Sequence, residues 1–400
     1  MKQNFLIGTE DGQTVAVHEL TRQPLSRGEA ADVLPEAVAA AGPGGSVRLL
    51  AGTYTLRAPL ALPSSFSLAG SGRGTRLKAA PGFPGEALLT VTGADQVTVE
   101  NLSLSPAETD GCPAGVLLHD AGDATLDRLF AVGFRDYGLI LRGKSFLCRV
   151  QGCVTANNGK AGMLLQNLTH GGRAGDFMPS HVVNCTSFGE RGSGYETEEA
   201  LCVNFVGCQV FQAAGHGFWF HSTSNSLCVS GSRVFECLGN GALVQDTHEV
   251  NLSSNIFCWN KGHGVELNHA VWGTVAANNI IDSGGTVPPP AHGVYLHTDT
   301  RSVHVSANSI FNWDGHQPML CGIFEKEDCQ WNSFTGNNIN FYSEDGVKCQ
   351  GAHSTAADNT CLADWHSHPE KEPFLDQPRT SGTKEFDLER IRKYIAEVQA

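Results

Sequence analysis

The feature that most constrains this chain is a glycine that keeps returning. Gly115, Gly138, Gly162, Gly194, Gly217, Gly241, Gly264, Gly293, Gly322 and Gly346 each open a run of patterned residues. The intervals are 23, 24, 32, 23, 24, 23, 29, 29 and 24 residues, a basic coil of 23 to 24 carrying three insertions. A fixed period in this range marks a solenoid. Runs such as Gly217-Phe218-Trp219-Phe220-His221 and Gly293-Val294-Tyr295-Leu296-His297 alternate with period two, so the coils are made of strands.

A second landmark follows most of these glycines by 13 to 15 residues: Cys153, Cys208, Ser232, Asn255, Asn278, Asn308, Asn337 and Asn359. Cys185 joins it if the long coil's insertion precedes it. Apolar pairs such as Val234-Phe235 and Ile310-Phe311 come next. Small polar residues stacked coil upon coil can hydrogen-bond along the axis, as buried turn backbone requires. The reading is a right-handed parallel β-helix of about 10–12 coils. On these residues the chain resembles the pectate-lyase-like superfamily of single-stranded β-helices. That resemblance implies a carbohydrate-active protein.

Three segments follow from the pattern. Residues 1–110 read as a cap and the first coils, with Ala30 to Ala41 helical and stopped by Gly42-Pro43-Gly44-Gly45. Strand, Gly52-Thr53-Tyr54 turn, strand and the Gly70-Ser71-Gly72 turn come next, an order similar to the amino-terminal coils of the superfamily. There a helix plugs the open end, which would otherwise be an unpaired β edge. Residues 111–360 are the repeats carrying the groove. Residues 361–400 are a Pro-, His- and acid-rich loop, then a helix from Phe386 to Ala400 that caps the last coil or packs on a neighbouring subunit.

Composition excludes several roles. No apolar run is long enough for a transmembrane helix. Residues 1–10 lack a signal-peptide core, so a cytoplasmic location is expected, or a secreted one if a leader was removed. The net charge of −14 disfavours nucleic acid. It also weighs against polyanionic glycans unless a metal or a local basic patch offsets the field. The thirteen cysteines have no zinc-finger spacing and several share the turn ladder with serine and asparagine, which favours buried thiols over disulfides.

Chemistry is expected on the outward face of the repeated strand. If the first and third residues after each glycine point in, the second and fourth point out. The fourth row is polar throughout: His119, Arg142, Gln166, Glu198, His221, Gln245, Asn268, His297, Lys326 and Gln350. A merely solvated face would also be polar. The second row places Glu196, Trp219, Glu266 and Tyr295 beside it. Aromatics next to acids suit a sugar ring, which has one apolar face. The insertion around Asn167 to Met178 precedes the Glu196/Glu198 strand, and others fall at Gly284 to Pro290 and Trp313 to Met319, where loops can wall a groove.

Candidate catalytic residues are therefore Glu196, Glu198, Glu266, His221, Asp246 and Asp176. Candidate sugar contacts are Trp219, Tyr295, His297, Asn268, Gln245, Gln166, Arg142, Arg173 and Lys326. Glu196 and Glu198 lie about 6.7 Å apart along one strand, within the roughly 6.5 to 9.5 Å range of inverting glycoside hydrolysis. That points to a glycoside hydrolase working without a cofactor. The alternative is a polysaccharide lyase in which these acids hold Ca²⁺ against a uronate. A glycan-binding protein without catalysis is the third. The set expected of polygalacturonases and the pectate-lyase motif are missing. Gly215-His216-Gly217 recurs as Gly262-His263-Gly264 and reads as a turn feature. Gly264-Val265-Glu266-Leu267 resembles the catalytic strand of inulin fructotransferases, trimeric β-helices, which implies a transferase of that kind as a further alternative and a homotrimer formed through the helix side or the C-terminal helix.

Overall fold

The structure, a computed structural model, describes residues 3–107, 111–168, 178–284, 291–312 and 319–363, with residues 392, 393, 395 and 396. Three parallel strands make up a typical coil. The strand that follows or spans each repeat glycine stacks on its counterparts, as Ala114–His119 does on Tyr137–Arg142, and so on through Ala161–Gln166, Ser193–Glu198 and Phe218–His221. A second stack of thirteen strands, from Gly52–Leu56 to Thr360–Leu362, closes another side. The fold is a parallel β-helix, and its ladder runs a few residues past the expected boundary at residue 360.

Close approach explains the glycines. A Cβ on Gly217 would lie 2.5 Å from the carbonyl oxygen of Gly241, and one on Gly241 equally near that of Gly264. Gly264 and Gly293 meet the next carbonyl at 2.6 Å. No larger residue fits without moving backbone. The requirement passes from coil to coil, and so the period survives the insertions.

The interior is as the alternation predicts. Val116, Leu118, Leu139, Leu141, Met163, Leu165, Phe218, Phe220, Val265, Leu267, Val294 and Leu296 are all buried. Below the middle coils Tyr195 stacks on Phe218 at 5.2 Å, and Phe205 packs edge-on to Phe218 at 5.4 Å. The turn ladder also forms. Asn255 N–H donates to Asn278 Oδ1 at 2.9 Å, Asn278 N–H to Asn308 Oδ1 at 2.9 Å, and Asn308 N–H to Asn337 Oδ1 at 3.0 Å. Each Nδ2 also reaches back to a carbonyl, as Asn278 does to Leu252 at 2.9 Å. In the earlier coils Cys208 Sγ makes the corresponding bond, to Val182 at 3.3 Å. All thirteen thiols are free.

The cap holds more than the helix. Ala30–Ala41 forms as expected, burying Ala30, Val33, Leu34, Ala37, Val38 and Ala41 along one stripe. An unforeseen antiparallel pair, Asn4–Glu10 with Gln13–His18, precedes it, and Asn4–Glu10 also pairs in parallel with Ser46–Leu49. The opening edge is therefore covered by strand as well as helix. Gly52-Thr53-Tyr54, expected as a turn, begins the strand Gly52–Leu56, because Tyr54 is buried and its hydroxyl donates to the Leu50 carbonyl at 2.9 Å.

At the far end, most of the loop after Cys361 and of the helix from Phe386 lies outside the described residues. Ile395 is buried against Phe130, Val132, Ala156 and Phe188 on the outer surface of the thirteen-strand sheet. These contacts lie along the flank of early coils, so at Ile395 the segment packs on its own solenoid.

Candidate functional site

The outward rows assemble as a continuous face. Arg142, Gln166, Glu198 and His221 are directly in register, as are Gln245, Asn268 and His297. Glu196 sits beside Trp219, and Glu266 beside Tyr295. The first members of the second row differ from a solvated face: Leu117, Ile140 and Leu164 point outward yet are buried, clustered with Tyr137.

Side chains then lean across the rows. By register His221 is the direct neighbour of Glu198. Yet its Nε2 meets Glu196 Oε1 at 3.2 Å, while its Nδ1 meets Ser222 Oγ at 2.8 Å. Trp219 lies 4.3 Å from the His221 ring, and its indole N–H is buried with no hydrogen-bond partner among the described residues. Glu198 turns the other way and accepts from Gln166 Nε2 at 2.7 Å. Gln166 Oε1 in turn accepts from Arg142 Nε at 3.0 Å, and Arg142 pairs with Glu86 at 2.7 Å. The two acids on one strand are thus drawn apart along the axis, one toward each neighbouring coil.

Three coils on, Glu266 Oε1 meets His297 Nε2 at 2.9 Å and its Oε2 accepts from Asn240 Nδ2 at 2.6 Å. Burial raises its pKa, but His297, His263 and Asn240 outweigh that and hold it below the ordinary carboxylate value. Tyr295 stacks on His297 at 4.5 Å, and Lys326 Nζ lies 5.6 Å from the Tyr295 ring centre. Between the two groups, Asp246 is engaged by His269 Nδ1 at 2.8 Å, and Gln245 donates weakly to Asp246 at 3.4 Å. Asn268 lies half-buried in its row. Asp176 and Arg173 lie outside the described residues, as do the inserted segments 169–177, 285–290 and 313–318.

A third outward row escaped the sequence reading: the residue immediately before each glycine. His216 N–H donates to Ser193 Oγ at 3.2 Å, Asn240 N–H to His216 Nδ1 at 3.0 Å, and His263 N–H to Asn240 Oδ1 at 2.8 Å. His292 N–H then donates to His263 Nδ1 at 2.9 Å, and Cys321 N–H to His292 Nδ1 at 3.2 Å. A backbone N–H can only donate, so each Nδ1 is bare and each neutral ring carries its proton on Nε2. Burial lowers His216, takes His263 down to about 4 and His292 to about 3. The repeated Gly-His-Gly was the available signal. It is a turn feature, and it also flanks Trp219 and Tyr295, with His263 4.8 Å from the Tyr295 ring.

A cleft of about 470 Å³ adjoins the first of these groups, lined in part by Arg135, Tyr137, Arg142 and Lys160. Asp136 bridges Arg135 and Lys160 at 3.1 and 3.2 Å. Burial, then the charges of Glu196, Asp136 and Glu198, push the Tyr137 phenol well up, so it stays a neutral donor. The cleft thus gathers three cations with two carboxylates, Glu86 and Asp136, each cation ion-paired. Among the described residues no group of three or more His, Cys, Asp or Glu side chains is placed to hold a metal ion. No described helix is long and apolar enough to cross a membrane.

Residues 220–362 match the family described as right handed beta helix region. No curated protein matches the chain in sequence. Among solved structures, the A-module of Azotobacter vinelandii mannuronan C-5 epimerase AlgE6 superposes with a TM-score of 0.70 at 16% identity, over 86% of this chain and 96% of that one. A mannuronic acid specific polysaccharide family 6 lyase from human gut microbiota gives 0.56 at 13%, covering 88% and 90%. The Dettilon tailspike protein gives 0.62 at 14%, covering 82% and 64%. These likenesses are of fold, a right-handed parallel β-helix.

Proposed function

We propose that this chain is an enzyme acting on an acidic polysaccharide laid along the outward strand face, with its reacting centre at Glu196, Glu198, His221 and Trp219. The observation that carries the reading is the group itself. A half-buried indole with an unpartnered N–H covers an imidazole–carboxylate pair, and a second carboxylate stands on the same strand. Such a group offers an apolar platform and acid–base partners.

The geometry favours proton transfer at a uronate over hydrolysis. Glu196 and Glu198 have a suitable strand spacing, but their bonds draw them toward opposite coils rather than onto one glycosidic oxygen. Arg142, linked through Gln166 to Glu198, and Lys160 beyond it are cations on this face, and a uronate carboxylate would share or displace their partners Glu86 and Asp136. With the carboxylate neutralised, loss of the C5 proton becomes the accessible step. Glu198, oriented by that relay, is the base. Two of the fold neighbours, a mannuronan C-5 epimerase and a mannuronic acid specific lyase, act on uronate polymers.

The test incubates wild type and Glu198→Gln with mannuronan, polygalacturonate and neutral glycans in D₂O. Ultraviolet absorbance with new reducing ends means β-elimination, and deuterium at C5 with neither means epimerisation. Reducing ends alone would restore the hydrolase reading. Binding without any product makes this a glycan-binding protein. Full activity in Glu198→Gln removes Glu198 from the centre.

A further inference from the structure

We infer that the groove contains a second, non-reacting sugar subsite built on Glu266, Tyr295 and His297, a structural copy of the unit at Glu196, Trp219 and His221. The proposal rests on the reading of this face as a polysaccharide groove. The copy extends to details that no solvated surface needs. In both units a glutamate in one coil has an aromatic residue as its direct neighbour in the next. In both, a histidine two residues past that aromatic turns its Nε2 back to the glutamate, at 3.2 and 2.9 Å. Its Nδ1 meets the hydroxyl of the following residue, Ser222 or Thr298, at 2.8 Å each time. Its carbonyl accepts from the hydroxyl three residues on, Ser224 at 2.9 Å or Thr300 at 2.7 Å, a turn bond that Arg142 and Ser145 also make in a coil without the unit. Aromatic and imidazole rings lie 4.3 and 4.5 Å apart.

Two differences assign the roles. Asn240 occupies the second oxygen of Glu266 at 2.6 Å, whereas the second oxygen of Glu196 takes no donor among the described residues. The position held by Glu198 in the first unit is Asn268 in the second. The copy keeps the platform and the oriented carboxylate and lacks the acid–base partner. It can hold a sugar ring, with Tyr295 beneath it and the Lys326 ammonium beside the phenol for an acidic substituent. The units are three coils apart, about 14 Å along the axis. A short oligosaccharide held at Trp219 does not reach Tyr295, and a longer one spans both.

The experiment measures binding of trimeric and hexameric oligomers from mannuronan and polygalacturonate, by calorimetry, to wild type, Tyr295→Ala and Tyr295→Phe. The expected result is a hexamer bound about tenfold more tightly than the trimer, the value of one added stacking contact. Tyr295→Ala should bring that ratio near one, and Tyr295→Phe, which keeps the ring, should retain it. Melting temperatures close to wild type establish that each variant is folded. A hexamer preference intact in Tyr295→Ala overturns the subsite and leaves the polysaccharide reading standing. No binding of any oligomer to wild type removes that reading, and the subsite with it.

Discussion

The same coils carry polar side chains on two sides of one wall, and the asparagine ladder inside is more completely satisfied than the groove group outside, although Asn260 Nδ2 and Ser283 Oγ inside also lack partners among the described residues. Inside, Asn278 accepts from Asn255, donates to Asn308 and reaches the Leu252 carbonyl. Buried Glu325 is likewise met by Asn332 at 2.7 Å, Ser354 at 2.6 Å and the Gly351 N–H at 2.9 Å. Outside, bonds run diagonally and stop short: Glu196 is met through one oxygen, by His221, and the Trp219 N–H has no partner among the described residues. Polarity that closes on itself is structure. Polarity left open at a half-buried aromatic is an invitation to a ligand.

The largest expected effect separates the two sides. Glu198→Gln should lower turnover on the polysaccharide substrate by about 10²–10⁴-fold, as loss of a general base does, with the melting temperature near wild type. Asn278→Ala should do the reverse. Each buried group it strands costs about 1–3 kcal/mol, so the thermal midpoint should fall by several degrees, with turnover per folded molecule kept. An inactive, stable Asn278→Ala, or a destabilised Glu198→Gln, would collapse the distinction.

Most of the inner side was legible in the sequence, because a β-helix repeats its demands. A glycine forced by a neighbouring carbonyl recurs through most coils, and from Asn255 to Asn359 an asparagine forced by a neighbouring N–H recurs as well, and recurrence can be read. The outer rows were legible as rows. Which partner each side chain takes was not: register places His221 beside Glu198, whereas its ring reaches Glu196, a choice set by Ser222 and the Trp219 ring. The row of His216, His263 and His292 was hidden because strict alternation places the residue before the glycine inside, whereas Tyr137 and its counterparts face out.

The comparison sharpens with pH, since the two sides titrate in opposite senses. Glu190 is buried inside, where desolvation pushes its carboxyl up to about 8 against the Asn158 and Ser187 bonds. The native state therefore keeps a proton that the unfolded chain releases near 4.5, and stability falls as pH rises from there toward 8. His263 and His292 at the groove margin sit at about 4 and 3. The unfolded chain takes up protons near 6.5 that the native state refuses, so their contribution is lost as pH falls below that value. Between pH 6.5 and 8 only the Glu190 effect remains of the three. A melting-temperature profile should decline across that window in wild type and flatten in Glu190→Gln. A decline unchanged in the variant would place its source elsewhere.

The smallest expected effect tests whether a ladder rung is defined by geometry or by chemistry. Cys208 accepts from Ser232 Oγ no bond of its own; its N–H donates to that oxygen at 3.0 Å, and its thiol reaches the Val182 carbonyl at 3.3 Å. Burial pushes that thiol up to about 12, so it acts as a small buried donor and not as a nucleophile. Ser232, one rung on, shows that a hydroxyl fits such a rung, donating to the Ser230 carbonyl two residues back at 3.2 Å as Cys208 does to Val206 at 3.7 Å. Cys208→Ser should therefore change stability by less than about 1 kcal/mol, because one weak donor replaces another of similar size. Cys208→Val keeps the volume and removes the donor to the Val182 carbonyl, so it should cost more than the serine. The order of the two midpoints in a denaturant titration decides the matter: valine more stable than serine would mean that this rung is held by packing alone.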